Sequence, residues 1–388
     1  MAAQYFINTY CREINDGDYS LIIVHDFGSY LKLRNSIWNN IQYYIENDIE
    51  IDRRYSGIVQ TLVKHGIIFE YGEISFNYRS IMLQLTSACN LNCLHCCAKM
   101  LTSDGMVTMD IVEKVIDLNP EMLVLTGGEP MLHPQFWDLV KHIRKNYQKK
   151  LYLMTNATLI TAENIGELYR YFDGIDISLD GKDAYDTLRI RGKDVFEHAT
   201  NIIRLLRERK MNVSISAVAE FFSEDFTNQF NELADSLDVK TMLREIDLVD
   251  EVMLNFDKIV GGGKEKYINS KIMALKESIP TNTEFKKCPM VRHSLFIDVE
   301  GNIYPCAGLA KDKYCIGKFN DLANLPDYSV LEKKLLEEEI YTNCRECIYR
   351  AGCWDCLSEL ENRAKFPEVF SAYCQSHKEK WANILKGA

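Results

Sequence analysis

Residues 81–96 read IMLQLTSACNLNCLHC. The apolar opening fits a buried strand, and it runs straight into Cys89, Cys93 and Cys96 with Cys-x3-Cys-x2-Cys spacing. Three thiolates on one loop can hold three irons of a four-iron cluster and leave the fourth iron open. An open coordination position marks a site that takes up a ligand, as in catalytic zinc centres. A zinc knuckle completed by His95 or Cys97 is the competing reading of the same residues.

Outward from this loop the texture is regular. Strands are expected over 81–86, 122–125, 151–154, 174–179, 213–219 and 239–246, with helices over 108–118, 135–147, 162–172, 195–209 and 225–237 between them. Such alternation predicts right-handed βα units and a parallel sheet, open or curled into a barrel. Ligands then sit beyond the carboxyl ends of the strands. Three further motifs fall there. Thr126-Gly127-Gly128-Glu129-Pro130 ends the second strand, where glycines permit close backbone approach and the carboxylate can accept from an ammonium group. Asn156 ends the third strand. Ser178-Leu179-Asp180-Gly181 ends the fourth, and Arg189-Ile190-Arg191 follows. A helix cap or a surface ion pair would explain the last two motifs equally well.

Taken together, the cysteine loop and the GGEP string resemble radical S-adenosylmethionine (SAM) enzymes. The resemblance implies a partial (β/α)6 TIM-like barrel in an α/β protein. A four-iron cluster would sit on Cys89, Cys93 and Cys96, with SAM on its open iron. It also implies a SAM site built from His95, Gly127, Gly128, Glu129, Asn156, Ser178 and Arg191, with Arg189 as an alternative to Arg191. A 5′-deoxyadenosyl radical would abstract hydrogen from the substrate, the electron coming from a donor such as flavodoxin or ferredoxin.

Cysteine usage extends the resemblance. Of 13 cysteines, Cys288, Cys306, Cys315, Cys344, Cys347, Cys353, Cys356 and Cys374 crowd the C-terminal part, and none lies between Cys97 and Cys288. Paired zinc ribbons share the Cys-x2-Cys spacing. The pattern resembles the SPASM extension of peptide-modifying radical SAM enzymes, with two residues instead of three between Cys353 and Cys356. It implies two auxiliary four-iron clusters. One takes Cys344, Cys347, Cys353 and Cys374; the other takes Cys288, Cys306 and Cys356, with Cys315 as fourth ligand. Cys11 and Cys97 are left over as structural or bystander thiols.

Before the barrel, 19–24 and 29–34 read as strands around the turn His25-Asp26-Phe27-Gly28, followed by helical spacing at Ile37, Ile41, Tyr44 and Ile45. Ile58, Leu62, Val63 and Gly66 suggest a second helix with a glycine stop, and 67–70 a returning strand. This pattern resembles the winged-helix-like recognition element of enzymes that modify ribosomally made peptides. The resemblance implies that a precursor peptide adds its leader as a strand along 29–34. As a self-contained unit, it should be removable without disturbing the cysteine sites.

The domain expectation is therefore 1–78 for peptide recognition, 79–250 for the barrel, 251–287 as connector with Gly261-Gly262-Gly263 and Pro280, and 288–388 for the auxiliary clusters. Beyond Cys288 the apolar periodicity is too weak to predict a core. Composition sets the outer bounds. The chain has 388 residues, 47% of them hydrophobic and 26% charged, which excludes wholesale disorder. Its net charge of -11 without a basic block argues against nucleic acid. No apolar run is long enough for a membrane span, and the opening MAAQYFINTYCREIND lacks a signal-peptide core. The expected location is the cytoplasm, where thiols stay reduced and metal is favoured over disulfides. The reading this supports is a radical SAM peptide maturase that installs a thioether, carbon–carbon or carbon–oxygen crosslink or another radical modification. The alternatives are a protein side-chain oxidase resembling anaerobic sulfatase maturases and a zinc-stabilised binding protein.

Overall fold

The computed structural model describes residues 5–8, 11–24, 29–70, 78–100, 104–219, 224–248, 250–260, 263–277, 294–319, 328–354 and 356–387. The turn at 25–28, Gly261, Gly262, Pro280 and Cys288 lie outside the described residues.

In chain order the N-terminal elements are β1 (Tyr5–Ile7), β2 (Cys11–Asn15), β3 (Tyr19–Val24), β4 (Ser29–Arg34), α1 (Asn35–Glu46), α2 (Ser56–Lys64) and β5 (Ile68–Glu70). Strands β2, β3 and β4 form an antiparallel sheet with β3 central, and β1 pairs separately with β5. Neither β1 nor β2 was expected from sequence; β2, CREIN, is a mostly polar strand at a sheet edge. Gly66 stops α2 with φ near +68°, a left-handed conformation that suits glycine. Ile22 and Val24 pack with Trp38, Ile41, Val59 and Leu62 from the helices.

The barrel region contains six parallel strands: β6 (Ser80–Gln84), β7 (Met122–Thr126), β8 (Lys150–Thr155), β9 (Gly174–Ser178), β10 (Val213–Ala219) and β11 (Lys240–Glu245). Between them run α3 (Met109–Asp117), α4 (Phe136–Asn146), α5 (Ile165–Tyr171), α6 (Ala184–Arg191), α7 (Val195–Glu208) and α8 (Glu224–Ser236). All six expected strands and all five expected helices are present; α6 is additional. Ile81, Leu83, Leu123, Leu125, Leu151, Leu153, Ile175, Ile177, Ile215 and Ala217 are buried. They alternate along their strands with residues of the opposite face, as the two-residue strand period requires.

After β11 come α9 (Asp250–Leu254), α10 (Phe256–Ile259) and α11 (Gly263–Glu277). Next, β12 (Ser294–Ile297) adds parallel beside β6, followed antiparallel by β13 (Asn302–Tyr304) and β14 (Gly317–Lys318), giving a nine-stranded sheet. The chain then turns helical: α12 (Tyr328–Glu337), α13 (Arg350–Cys353), α14 (Leu357–Ala364) and α15 (Pro367–Gly387).

The compact units depart from the four sequence segments. One comprises 1–76, 271–290 and 326–388; the other comprises 77–270 and 291–325. Backbone pairing gives the reason for the second, because β12 continues the barrel sheet. For the first, the reason is burial on both faces of β3. Ile22 and Val24 face α1 and α2, while Leu21 and Ile23, also buried, point the other way. On β4, Tyr30 packs edge-on against Trp381 of α15, and Lys32 donates to the Leu385 carbonyl. Hence the C-terminal helices do share an apolar core, contrary to expectation: Trp354, Trp381, Tyr341, Tyr373 and Phe366 are buried there. The N-terminal sheet thus groups with the C-terminal helices in one compact unit.

Candidate active site

The cysteine loop leaves the carboxyl end of β6. Its conformation is set from β7, because Gly127 and Gly128 press against residues 86–88. The Gly128 N–H donates to the Thr86 carbonyl at 2.7 Å and the Glu129 N–H to the Ala88 carbonyl at 2.8 Å. A Cβ on Gly128 would stand 2.3 Å from the Ala88 carbonyl oxygen, and one on Gly127 2.7 Å from that of Thr86. The close approach expected of these glycines is thus to the strand end that leads into Cys89.

Glu129 is fully buried. Its carboxylate accepts from the Thr155 hydroxyl at 2.8 Å, the Asn156 N–H at 2.9 Å and the Met131 N–H at 3.3 Å. Burial raises its carboxyl, opposed by these bonds and by Arg191. The side chain therefore ties the ends of β7 and β8 together. Asn156 carries the tie onward: its amide donates to Asn90 Oδ1 at 3.0 Å and lies 4.0 Å from Cys89 Sγ. Thr158 closes the network, donating to Asn156 and accepting from Asn90 at 2.7 Å.

The other side of the loop is held from β9 and α6. Asp180 adopts φ near +57°, and its buried Oδ2 meets His95 Nε2 at 2.6 Å and Arg191 Nη2 at 2.5 Å. Its Oδ1 accepts from the Val218 N–H at 2.6 Å. Burial alone would raise this carboxyl, but Arg191, His95 and the Val218 N–H hold it well below the usual carboxylate range. Arg191 Nη1 reaches Cys93 Sγ at 3.9 Å, and the Leu94 N–H donates to the Ile190 carbonyl at 3.2 Å. Of the two candidate arginines, Arg191 faces the cysteine loop, whereas Arg189 donates to the Ile259 carbonyl at 3.1 Å. Ser178 stands at the end of β9, half-buried, in register with Ser216.

Cys89, Cys93 and Cys96 are electrostatic neighbours of one another. Burial pushes the Cys93 thiol up to about 11, against the pull of Arg191. The bare loop therefore disfavours thiolates, whereas a bound metal deprotonates coordinating thiols outright. Two buried polar atoms nearby, Arg191 Nε and Gln84 Oε1, lack hydrogen-bond partners among the described residues. Both features suit a site completed by a polar, metal-containing group. Cys97 is exposed, with Asp247 and Arg244 as charged neighbours.

Sequence reasoning passed over Asp180 as a lock and missed the wall beside it. Asp176, on the same face of β9 as Ser178, accepts from Ser214 at 2.7 Å and Ser216 at 2.8 Å, with Arg244 Nη2 at 3.7 Å. The signal was present in GIDIS and VSISAVA. Strands of a parallel sheet covered on both faces read as continuous apolar runs, so polar residues at every second position mark a face that lines a site.

Among the C-terminal thiols, Cys344, Cys347 and Cys374 are electrostatic neighbours, and burial pushes Cys344 up to about 11. Cys344 and Cys374 line a cleft of about 690 Å³ with Phe370 and Lys378. Cys353 belongs to the same unit, its carbonyl accepting from the Tyr373 hydroxyl, one residue before Cys374. Cys315 packs by Phe296 and Tyr304 in the β12–β14 segment, where Cys306 follows β13. Cys356 precedes α14 in the other unit. The structure thus places Cys344, Cys347 and Cys374 near one another and ties the Cys353 backbone to Tyr373 beside them; the described residues do not show the second set together. Among the described residues no group of three or more His, Cys, Asp or Glu is placed to hold a metal ion, and no helix is long and apolar enough to cross a membrane.

Residues 83–220 match the Radical SAM superfamily model. An S-adenosylmethionine-dependent nucleotide dehydratase of a Thermoplasmatales archaeon is 30% identical over 157 residues, 38% of this chain and 56% of that protein. The chain thus spans about half the length of that relative. Mycofactocin maturase MftC of Mycolicibacterium smegmatis is 24% identical over 307 residues, 70% of this chain and 76% of that one. The crystal structure of Streptococcus suis SuiB bound to S-adenosylmethionine shares the fold with a TM-score of 0.55 at 15% identity, covering 94% of this chain and 98% of that chain. With its parallel sheet and cysteine loop in place, the chain carries a radical SAM domain.

Proposed function

We propose that the chain is a SAM-dependent radical enzyme that modifies a ribosomally made precursor peptide. The carrying observation is the Cys89/Cys93/Cys96 loop, locked by Asp180 through His95 and Arg191 and bordered by the unpartnered Arg191 Nε. Bound there, a four-iron cluster with SAM supplies a 5′-deoxyadenosyl radical. The protein's part is to orient and to exclude water. His95 and Asn156 shape the loop's two sides, and Arg191 places a fixed cation beside the cluster. Gly127, Gly128, Glu129 and Ser178 complete the SAM cradle. Asp176, Ser216 and Arg244 form the wall that the reacting peptide segment meets. A flavodoxin or ferredoxin delivers the electron.

For the peptide, support comes from the place of β4 at the end of its sheet among the described residues and from a relative named a maturase. A leader bound in one unit raises the effective concentration of its core segment for chemistry in the other. Cys344, Cys347, Cys353 and Cys374 hold one auxiliary cluster, and Cys288, Cys306, Cys315 and Cys356 a second. The bond that is made follows from the peptide's own reactive positions.

Anaerobically reconstituted protein should carry about 12 irons in three four-iron clusters. Replacing Cys89, Cys93 and Cys96 together by Ala should remove about four and abolish 5′-deoxyadenosine formation. Retained SAM cleavage in that variant, or zinc in place of iron in the wild type, would sink the proposal.

A further inference from the structure

We infer that the N-terminal sheet is a wall of the Cys344/Cys347/Cys353/Cys374 site, and that Arg12, Glu332 and Arg350 are positioning residues through which sheet and site are thermodynamically linked. The inference rests on reading that site as an iron–sulfur site.

Two routes join the sheet to the thiols, and they are chemically independent. The first is polar. Arg12 on β2 reaches Glu332 of α12 at 3.6 Å, and the other oxygen of Glu332 meets Arg350 Nε at 3.4 Å. Arg350 then donates through Nη1 to the Cys344 carbonyl at 3.0 Å and the Arg345 carbonyl at 2.7 Å. Arg345 in turn donates to the Leu336 carbonyl at 2.8 Å, returning to α12. Only 13% and 16% of the Arg12 and Glu332 side chains is exposed, so their pairing is sheltered from solvent screening. One carboxylate thus bridges two cations, one on the sheet and one that fixes the turn between Cys344 and Cys347.

The second route is apolar. Tyr30 of β4 packs edge-on against Trp381, and a Cβ on Gly352 would lie 2.2 Å from the Trp381 ring. Gly352 precedes Cys353, whose carbonyl is held by Tyr373 beside Cys374. Moving the sheet therefore moves Trp381 against the backbone of one ligand pair and Arg350 against the other. Linkage is reciprocal by necessity. Filling the site should protect the sheet, and breaking the strut should loosen the site.

The test uses the full-length, anaerobically reconstituted protein. In Glu332→Ala, an iron chelator should strip about four irons at least tenfold faster than in the wild type, with the remaining irons unaffected. Glu332→Gln, which keeps an acceptor for one arginine, should fall between. Asp110→Ala, which breaks the Lys114 pair on α3, should change nothing. In the reverse direction, a Cys344→Ser/Cys374→Ser protein should show at least tenfold faster amide exchange at β3, with β7 exchange unchanged. Unaltered iron release in Glu332→Ala, or unaltered β3 exchange in the cysteine variant, overturns the inference. If Glu332→Ala does not fold, the cysteine variant decides alone. Wild-type protein with about four irons in total would defeat the cluster reading; the strut would still be decided by β3 exchange in Glu332→Ala.

Discussion

The two groups of cysteines are framed by opposite means. At the barrel, Cys89, Cys93 and Cys96 come from one loop, and the surrounding strands add only orientation: Glu129 and Asn156 on one side, Asp180 with Arg191 and His95 on the other. In the helical unit, Cys344, Cys347, Cys353 and Cys374 span α12 to α15, and their frame reaches back to Arg12 and Tyr30 near the start of the chain. A local loop can fail or persist by itself. An assembled site inherits the stability of everything that frames it.

Truncation should separate the two most sharply. Deleting residues 1–76 removes Arg12, and with it the apolar residues Leu21, Ile23 and Tyr30 on the side of the sheet that faces the C-terminal helices. The expected result is loss of the irons of the helical site and aggregation from its exposed face, with SAM-binding barrel strands still folded by circular dichroism and limited proteolysis. Full iron content in the truncated protein would show the two sites to be equally self-sufficient.

Asp180→Asn attacks the local site through the buried carboxylate that pairs with His95 and Arg191. Removing one member of a buried ion pair costs about 3–5 kcal/mol, here because Arg191 is left as an uncompensated charge. Thermal unfolding of the barrel should shift accordingly while the helical unit keeps its transition. The pH dependence has a definite sign. The folded-state pKa of Asp180 lies below its unfolded value, so its stabilisation is complete above about pH 4. It is lost only as pH falls through the depressed folded value. The wild type should therefore lose this difference over Asp180→Asn in strong acid, and keep it undiminished at neutral pH.

What could be read in the sequence follows the same division. Strand positions, the cysteine loop and the GGEP turn were legible because each depends on residues close in the chain: a period, a spacing, a pair of glycines. Which arginine faces Cys93 was not, since Arg189 and Arg191 both lie on α6 and only its packing decides that. The helical unit was misread for a related reason. Its core is built from large residues scattered among cysteines, such as Tyr341, Trp354, Phe366, Tyr373 and Trp381, and half of its framing comes from a sheet some 300 residues earlier in the chain. One clue did exist. YSLIIV at β3 is apolar at consecutive positions, where a sheet covered on one face alternates. That run already required a second cover.

Gly352→Ala sharpens the comparison with a smaller perturbation. The added Cβ would overlap the Trp381 ring, and overpacking of this kind costs about 1–3 kcal/mol. The helical unit should melt earlier and release iron faster, while 5′-deoxyadenosine formation in the absence of peptide stays at the wild-type rate.

The smallest effect concerns the edge of β4, where the register picks the residue to change. The Asn35 N–H donates to the Asp18 carbonyl, and β3 pairs Ser20 with Leu33 and Ile22 with Leu31. In an antiparallel ladder, backbone groups of alternate residues point toward and away from the partner strand. Leu33 and Leu31 therefore bond to β3, and proline at Leu33 would break the sheet itself. Arg34, Lys32 and Tyr30 point their backbone groups away from β3. Of these, Arg34 is exposed and has φ −65° and ψ 137°, the geometry proline already prefers, and it stands immediately before the first residue of α1. Arg34→Pro should fold as the wild type does and lose one edge donor. A net backbone hydrogen bond is worth about 0.5–1.5 kcal/mol, so precursor affinity should weaken by roughly two- to tenfold in a fluorescence titration. Iron content and peptide-free SAM cleavage should not move. Equal affinity in Arg34→Pro, alongside lost affinity in Leu33→Pro, would mean that the peptide needs the sheet intact but does not extend it at this end of β4.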